Sequence, residues 1–119
     1  MGMKEGKSMN HRRELLKGNT ETLLLSLLKS QPMYGYQIIQ ELKKRSDGYF
    51  RFREGTLYPA LHRLEAAGLV SGTWDHLRSG KERRYYHLTE AGLKLLEEKV
   101  AEWRGFSSAV NMVMQPLTS

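Results

Sequence analysis

Apolar residues along this chain fall into helical runs, interrupted once by a stretch of strand-like period. Over residues 11–30, Leu15, Leu16, Leu23, Leu24, Leu27 and Leu28 share one helical stripe, which predicts a first helix of about five turns. Gly18 costs that helix about 1 kcal/mol against Ala and marks a candidate break. Pro32 pushes Gln31 out of the helical region and ends the run. Residues 34–45, YGYQIIQELKKR, repeat the pattern, with Tyr34, Ile38 and Leu42 at four-residue steps and Ile39 beside them. Lys43, Lys44 and Arg45 complement the negative end of this second helix's dipole, and Gly48 lies just past it. A third run at 54–68, EGTLYPALHRLEAAG, places Leu57, Leu61 and Leu64 on one face with Ala60 and Ala67, and Gly68 closes it. Pro59 removes a backbone donor and costs up to about 3 kcal/mol inside a helix. Either regular helix therefore starts near Pro59, or the first turn is irregular and turns Thr56 and Tyr58 outward.

After Gly68 the period changes. Leu69, Val70, Thr73, Trp74, Leu77, Tyr85, Tyr86 and Leu88 are strand-forming types, and Ser79-Gly80 supplies a turn between them. This predicts a hairpin whose tip carries Arg78, Lys81, Arg83 and Arg84 against Glu82 and the more distant Asp75. Tyr85 and Tyr86 alternate faces, so at least one is expected in the core. Thr89 is placed to cap a last helix, with Glu90 in its first turn. Beyond it Leu93, Leu96, Val100, Trp103, Ser107, Val110 and Met114 follow alternating steps of three and four, with Phe106 alongside. So regular a stripe predicts a seam between two copies of the chain, joined by Leu16 and Leu23 of the first helix. Packing back on the chain's own first helix is the competing account, and the two can hold together. The organisation expected is a loose arm at 1–10, a globular unit at 11–88, a pairing helix at 89–115 and a short tail at 116–119.

Charge narrows the chemistry. Residues 1–88 carry 16 Lys and Arg against 9 Asp and Glu, whereas residues 89–119 carry 3 against 4. The basic part thus contains the second and third helices and the hairpin, which suits a polyanion. Cysteine is absent, excluding disulfides and thiolate chemistry. His11, His62, His76 and His87 form no metal-ligand spacing, and no phosphate loop or nucleophile motif appears. Neither an enzyme nor a cofactor or metal is expected. There is no apolar run near the roughly 18 residues of a membrane span, and the first residues lack the apolar centre of a signal peptide; the cytoplasm is the expected location.

Two short amphipathic helices with a brief Gly-containing link read as a helix-turn-helix, and a basic hairpin directly after them reads as a wing. The fold class is mainly α with a small β-hairpin wing, and the third helix is the candidate DNA reader. Its Thr56, Tyr58, His62 and Arg63 offer groups suited to base edges and phosphates, and Lys43 is a further candidate phosphate contact. A winged-helix module that docks a protein instead of DNA is the alternative.

Three segments carry a resemblance: Tyr34-Gly35-Tyr36, GTLYPALHRLEAAGLV at 55–70 and RRYYHLTEAG at 83–92. In this order and spacing the chain resembles the PadR family of bacterial transcriptional regulators, from about residue 15 to residue 103. The resemblance implies a winged-helix homodimer on double-stranded operator DNA, generally a repressor, with the last helix supplying most of the dimer contact. A single terminal helix is similar to the smaller branch of that family. Thr56, Leu57, Tyr58, Pro59 and Arg63 match the reading-helix motif, Arg83, Arg84, Tyr85 and Tyr86 match the wing, and Tyr36 lies in the opening motif. Arg53 stands where the family more often has a small polar cap, and is a candidate phosphate contact instead. Lys81 joins Arg83 and Arg84 as a wing cation. Some members of the family respond to small aromatic or hydrophobic compounds near the dimer seam, which makes Trp103 and Phe106, with Met112 and Met114, a candidate effector lining. Plain dimer core is the competing role for these residues.

Overall fold

The leucine stripe expected over 11–30 is an α-helix over Thr20–Ser30 (α1) in a computed structural model that describes residue 16 and residues 18–118. Gly18 has a φ of +84°, in the left-handed region that glycine enters without steric cost, and the Asn19 N–H donates to the Leu16 carbonyl at 2.8 Å. The stripe therefore turns at Gly18 instead of continuing as one rod. The arm at 1–10 and the first part of that stripe lie outside the described residues.

From Ser30 the chain runs through β1 (Met33–Tyr34), α2 (Gly35–Arg45), α3 (Glu54–Ala66), β2 (Val70–His76), β3 (Glu82–Leu88) and α4 (Glu90–Thr118). The second helix starts one residue later than the pattern suggested, because Tyr34 pairs in a strand. A run of two residues is too short to show a period, so β1 was not expected. It lies antiparallel to β3, with Met33 opposite Tyr86 and Tyr34 opposite Tyr85. The hairpin itself pairs from Val70 opposite Leu88 to His76 opposite Glu82, giving the order β1-β3-β2. A third strand stitches the wing to the helices at its base.

Buried side chains account for the arrangement. Leu24, Leu25, Leu27 and Leu28 of α1, Ile38 and Leu42 of α2, and Leu57, Ala60, Leu61 and Leu64 of α3 meet in one cluster with Met33, Phe52, Val70 and Tyr86. Removing that much apolar surface from water is the dominant favourable contribution to folding. α3 begins at Glu54 and passes Pro59 without a late start, correcting the expectation of a delayed or irregular first turn. Pro59 deprives the Gly55 carbonyl of its helical donor, but Gly55 is exposed, so water can take that place.

Thr89 caps α4 as expected, its hydroxyl accepting from the Gly92 N–H at 3.0 Å and donating to the Gly68 carbonyl at 2.7 Å. The helix is 29 residues long, about 44 Å at 1.5 Å per residue, and it carries the expected tail through Thr118. Only its beginning lies on the core. Leu96 is 3% exposed, with Leu95 and Val100 packed beside it. Leu96, assigned from the pattern to a seam between copies, is core of its own chain, and Leu16 and Leu23 likewise pack against that core. Past Val100 the picture reverses: Trp103, Phe106, Met112, Val113 and Met114 are 45–80% exposed.

Candidate nucleic-acid interface

The core face of α3 is fixed by Leu57, Leu61 and Leu64, so helical geometry turns Thr56, Pro59, His62 and Arg63 to the opposite side, where all four are exposed. Arg53 precedes them without a side-chain cap hydrogen bond and is also exposed. The Gly35 end of α2 opens toward the same side. There Tyr36 is 67% exposed, and the Tyr34 backbone N–H donates to the Gln37 side chain at 2.9 Å, closing the first turn. At the far end of α2, Arg45 pairs with Glu41 at 2.8 Å and donates to the Ser30 hydroxyl at 3.0 Å, whereas Lys43 is exposed and forms no ion pair with a described residue. The Arg45 hydrogen bond holds the Glu41 carboxyl below its ordinary value.

Tyr58 departs from the outward role expected of it. It is half-buried, and a Cβ placed on Gly35 would come within 2.5 Å of its hydroxyl. The ring lies across the start of α2, and the Tyr-Gly-Tyr spacing leaves a glycine where that ring needs room. Tyr58 therefore braces α3 against α2.

The wing differs more. Arg83 sits over the Tyr34 ring, 4.8 Å from its centroid, and that ring is 3.8 Å from the Tyr85 ring. The Tyr34 hydroxyl donates to the Asp75 carboxylate at 3.1 Å. The Tyr85 hydroxyl beside it, desolvation and the Asp75 carboxylate, in that order, push the Tyr34 phenol up to about 12. Arg84 donates to the Glu65 carboxylate of α3 and lies 5.2 Å from the centre of the Trp74 ring. Its charge is thus engaged within the chain. Burial raises the Tyr86 phenol behind it. Among the described residues, the wing cations without an ion pair are Arg78, Lys81 and Arg83, all exposed, with Arg78 and Lys81 at the turn and Arg83 over the Tyr34 ring. In the sequence Arg78 stands out only as a basic residue near the hairpin tip.

Between the start of α2, α3 and the wing lies an open groove of about 1070 Å³, lined by Tyr36, Tyr58, His62, Trp74, Arg83 and Arg84 among others. Its lining is rich in aromatic rings and sets Arg83 and Arg84 against Glu65 and Glu82. The remaining expected residues lie along α4: Leu93, Val100 and Val110 are half-buried, while Trp103 and Phe106 are exposed with ring centroids 6.1 Å apart. No described helix is long and apolar enough to cross a membrane.

Comparison with known proteins agrees with this geometry. The family profile described as "Transcriptional regulator PadR-like family" matches residues 24–98. A transcriptional regulator of Mycobacterium tuberculosis is 35% identical over 86 residues, covering 72% of this chain and 77% of that one. The crystal structure of a PadR family transcriptional regulator from Eggerthella lenta superposes with a TM-score of 0.81 at 32% identity, over 96% of this chain and 97% of that one. The Bacillus subtilis PadR, solved in complex with operator DNA, shares the fold at a TM-score of 0.63 and 22% identity, over 68% of this chain and 46% of that one.

Proposed function

This chain belongs to the PadR-like family of transcriptional regulators, and on that premise we propose that it acts in the cytoplasm as a homodimeric repressor on operator DNA. The family is one of regulators and not of enzymes. The observation that carries the DNA assignment is the outer face of α3, where Thr56, Pro59, His62 and Arg63 are exposed together, with Arg78 and Lys81 exposed at the wing tip and in no ion pair with a described residue. Arg53, Arg63, Lys43, Lys81 and Arg78 supply phosphate contacts, which set affinity and its salt dependence. Thr56, His62 and Tyr36 reach base edges in the major groove, which set sequence. Pro59 brings an uncharged surface close to the bases.

Dimerisation uses the outer half of α4. Trp103, Phe106, Val110 and Met114 form an apolar face that the described chain does not cover, and a second copy of the same helix covers it. Two reading helices related by a two-fold axis then fit a pseudo-palindrome with half-sites roughly 34 Å apart. Such a dimer lying across a promoter excludes polymerase. Trp103 and Phe106 also offer an aromatic lining for a small aromatic or hydrophobic effector at that seam.

The experiment is a fluorescence anisotropy titration of a promoter fragment from upstream of the protein's own coding region, over a series of salt concentrations with random competitor DNA. Expected is a competitor-resistant complex whose log affinity falls linearly with log salt. Binding abolished by competitor at every salt concentration contradicts the proposal.

A further inference from the structure

Arg84 is held from three sides, and the three partners come from both parts that a winged helix must align. Its guanidinium donates to Glu65 on α3, packs against the Trp74 ring of β2 at 5.2 Å, and lies across Gly72, where a Cβ would approach its Nε within 2.5 Å. Arg84 and Glu65 side chains are 26% and 31% exposed, so the pair is shielded on most sides. A planar guanidinium suits this setting, because it can stack on an indole and still present its edge to a carboxylate. Gly72 is the strand position that leaves room for it.

We propose that Glu65, Arg84 and Trp74 form a clasp that fixes the angle between the wing and the reading helix, making Glu65 and Arg84 positioning residues for DNA binding. This rests on the DNA-reading role of α3 and extends it. α3 and the wing are joined in sequence by the short link at 67–69, and the tip cations Arg78 and Lys81 lie at the outer end of the hairpin. A small rotation at the wing's base moves that tip through a larger arc. With the clasp closed, tip and reading face meet one duplex together. With it open, the tip must be ordered during binding, which lowers affinity.

The sign of one substitution separates this from simple electrostatics. Glu65 is a negative charge beside a DNA-binding face, so if charge alone mattered its removal would strengthen binding. The clasp predicts the reverse: Glu65→Ala weakens binding about tenfold, the scale of a charge-assisted hydrogen bond. Glu65→Gln, which keeps an acceptor oxygen for Arg84 and loses the charge, recovers part of that loss. Arg84→Ala weakens binding comparably, and the slope of log affinity against log salt is unchanged. A phosphate contact would flatten that slope by about one unit.

The experiment combines anisotropy titrations of these variants with NMR of the full-length protein. In the unsubstituted chain, the Arg84 Nε–H resonance is displaced by the Trp74 ring current, and Trp74→Leu returns it toward the ordinary arginine position. An Arg84 resonance already at that ordinary position overturns the clasp, without any variant of Glu65 having to fold. Stronger binding by Glu65→Ala, or a flattened salt slope in Arg84→Ala, overturns the positioning role. If the unsubstituted protein ignores the promoter fragment, the DNA-reading proposal fails, and the Arg84 resonance still decides whether the clasp exists.

Discussion

The winged-helix head and the outer half of α4 treat apolar residues in opposite ways. In the head, Leu24, Leu25, Ile38, Leu57 and Leu61 are fully buried among helices of the same chain. Along α4 beyond Val100, the stripe members Trp103 and Met114 are 50% and 45% exposed, although they continue the three-four spacing of residues 93–100. The difference lies in what each stripe faces. α1, α2 and α3 enclose one another, whereas α4 leaves the core after about three turns. An apolar face that the described residues do not cover would tie its stability to association, while the head folds on contacts it already owns.

The strongest way to break that contrast is to damage the head directly. Leu61→Ala removes a fully buried side chain where α3 meets the core and is expected to cost 2–5 kcal/mol, roughly the range for such cavities, lowering the thermal midpoint at every protein concentration. Phe106→Asp probes the other side. It should weaken self-association at least 30-fold, or about 2 kcal/mol, the scale of a buried interface anchor given a charge. The dilute-limit melting of the head should stay unchanged. A loss of head stability in that variant, measured by circular dichroism at low concentration, would erase the distinction.

Smaller effects sharpen the picture within the head. Lys81→Gln should lower affinity a few-fold in modest salt and reduce the salt slope by about one, since no described residue takes up its charge. Equal slopes in the variant and the unsubstituted protein would remove Lys81 from the phosphate contacts. The least effect comes from Tyr34. Its phenol is pushed from the ordinary 10.0 up to about 12, so the folded state holds that proton more tightly than the unfolded one. Its contribution is complete below pH 10.0 and is lost as pH rises through about 12, with Tyr86 displaced in the same direction. Tyr34→Phe should remove part of this alkaline loss of stability, read by denaturant titration at several pH values and by difference absorbance of phenolate. An identical alkaline limb in the variant would show that the Tyr34 contacts to Tyr85 and Asp75 are not made in solution.

Most of the head was legible in the sequence because its elements are periodic and bounded. Leu57, Leu61 and Leu64 announce α3, Pro32 ends the first stripe, and Ser79-Gly80 marks the wing turn. What escaped has physical causes. β1 is too short for alternation to register, and its partner Tyr86 lies more than fifty residues away. Leu96 obeys the same three-four spacing as Trp103, and spacing alone does not say whether the facing helix belongs to this chain or to another. Arg84 and Arg78 look equivalent as basic residues near a hairpin tip. Only the fold reveals that Glu65, nineteen residues from Arg84 in sequence, takes up the charge of one and not of the other. Tyr58 was read as outward from its polar group, but its position on the flank of α3 brings it over Gly35.

In the proposed function, the outer half of α4 joins two copies of this chain so that both reading helices engage one duplex. Sedimentation equilibrium of the full-length protein with a labelled promoter fragment tests it most directly, with the Phe106→Asp variant run alongside. The account predicts two chains per duplex for the unsubstituted protein, and for the variant a monomer in free solution with markedly weaker promoter binding. A single chain per duplex in the unsubstituted protein, or a Phe106→Asp monomer that binds with undiminished affinity, would contradict it.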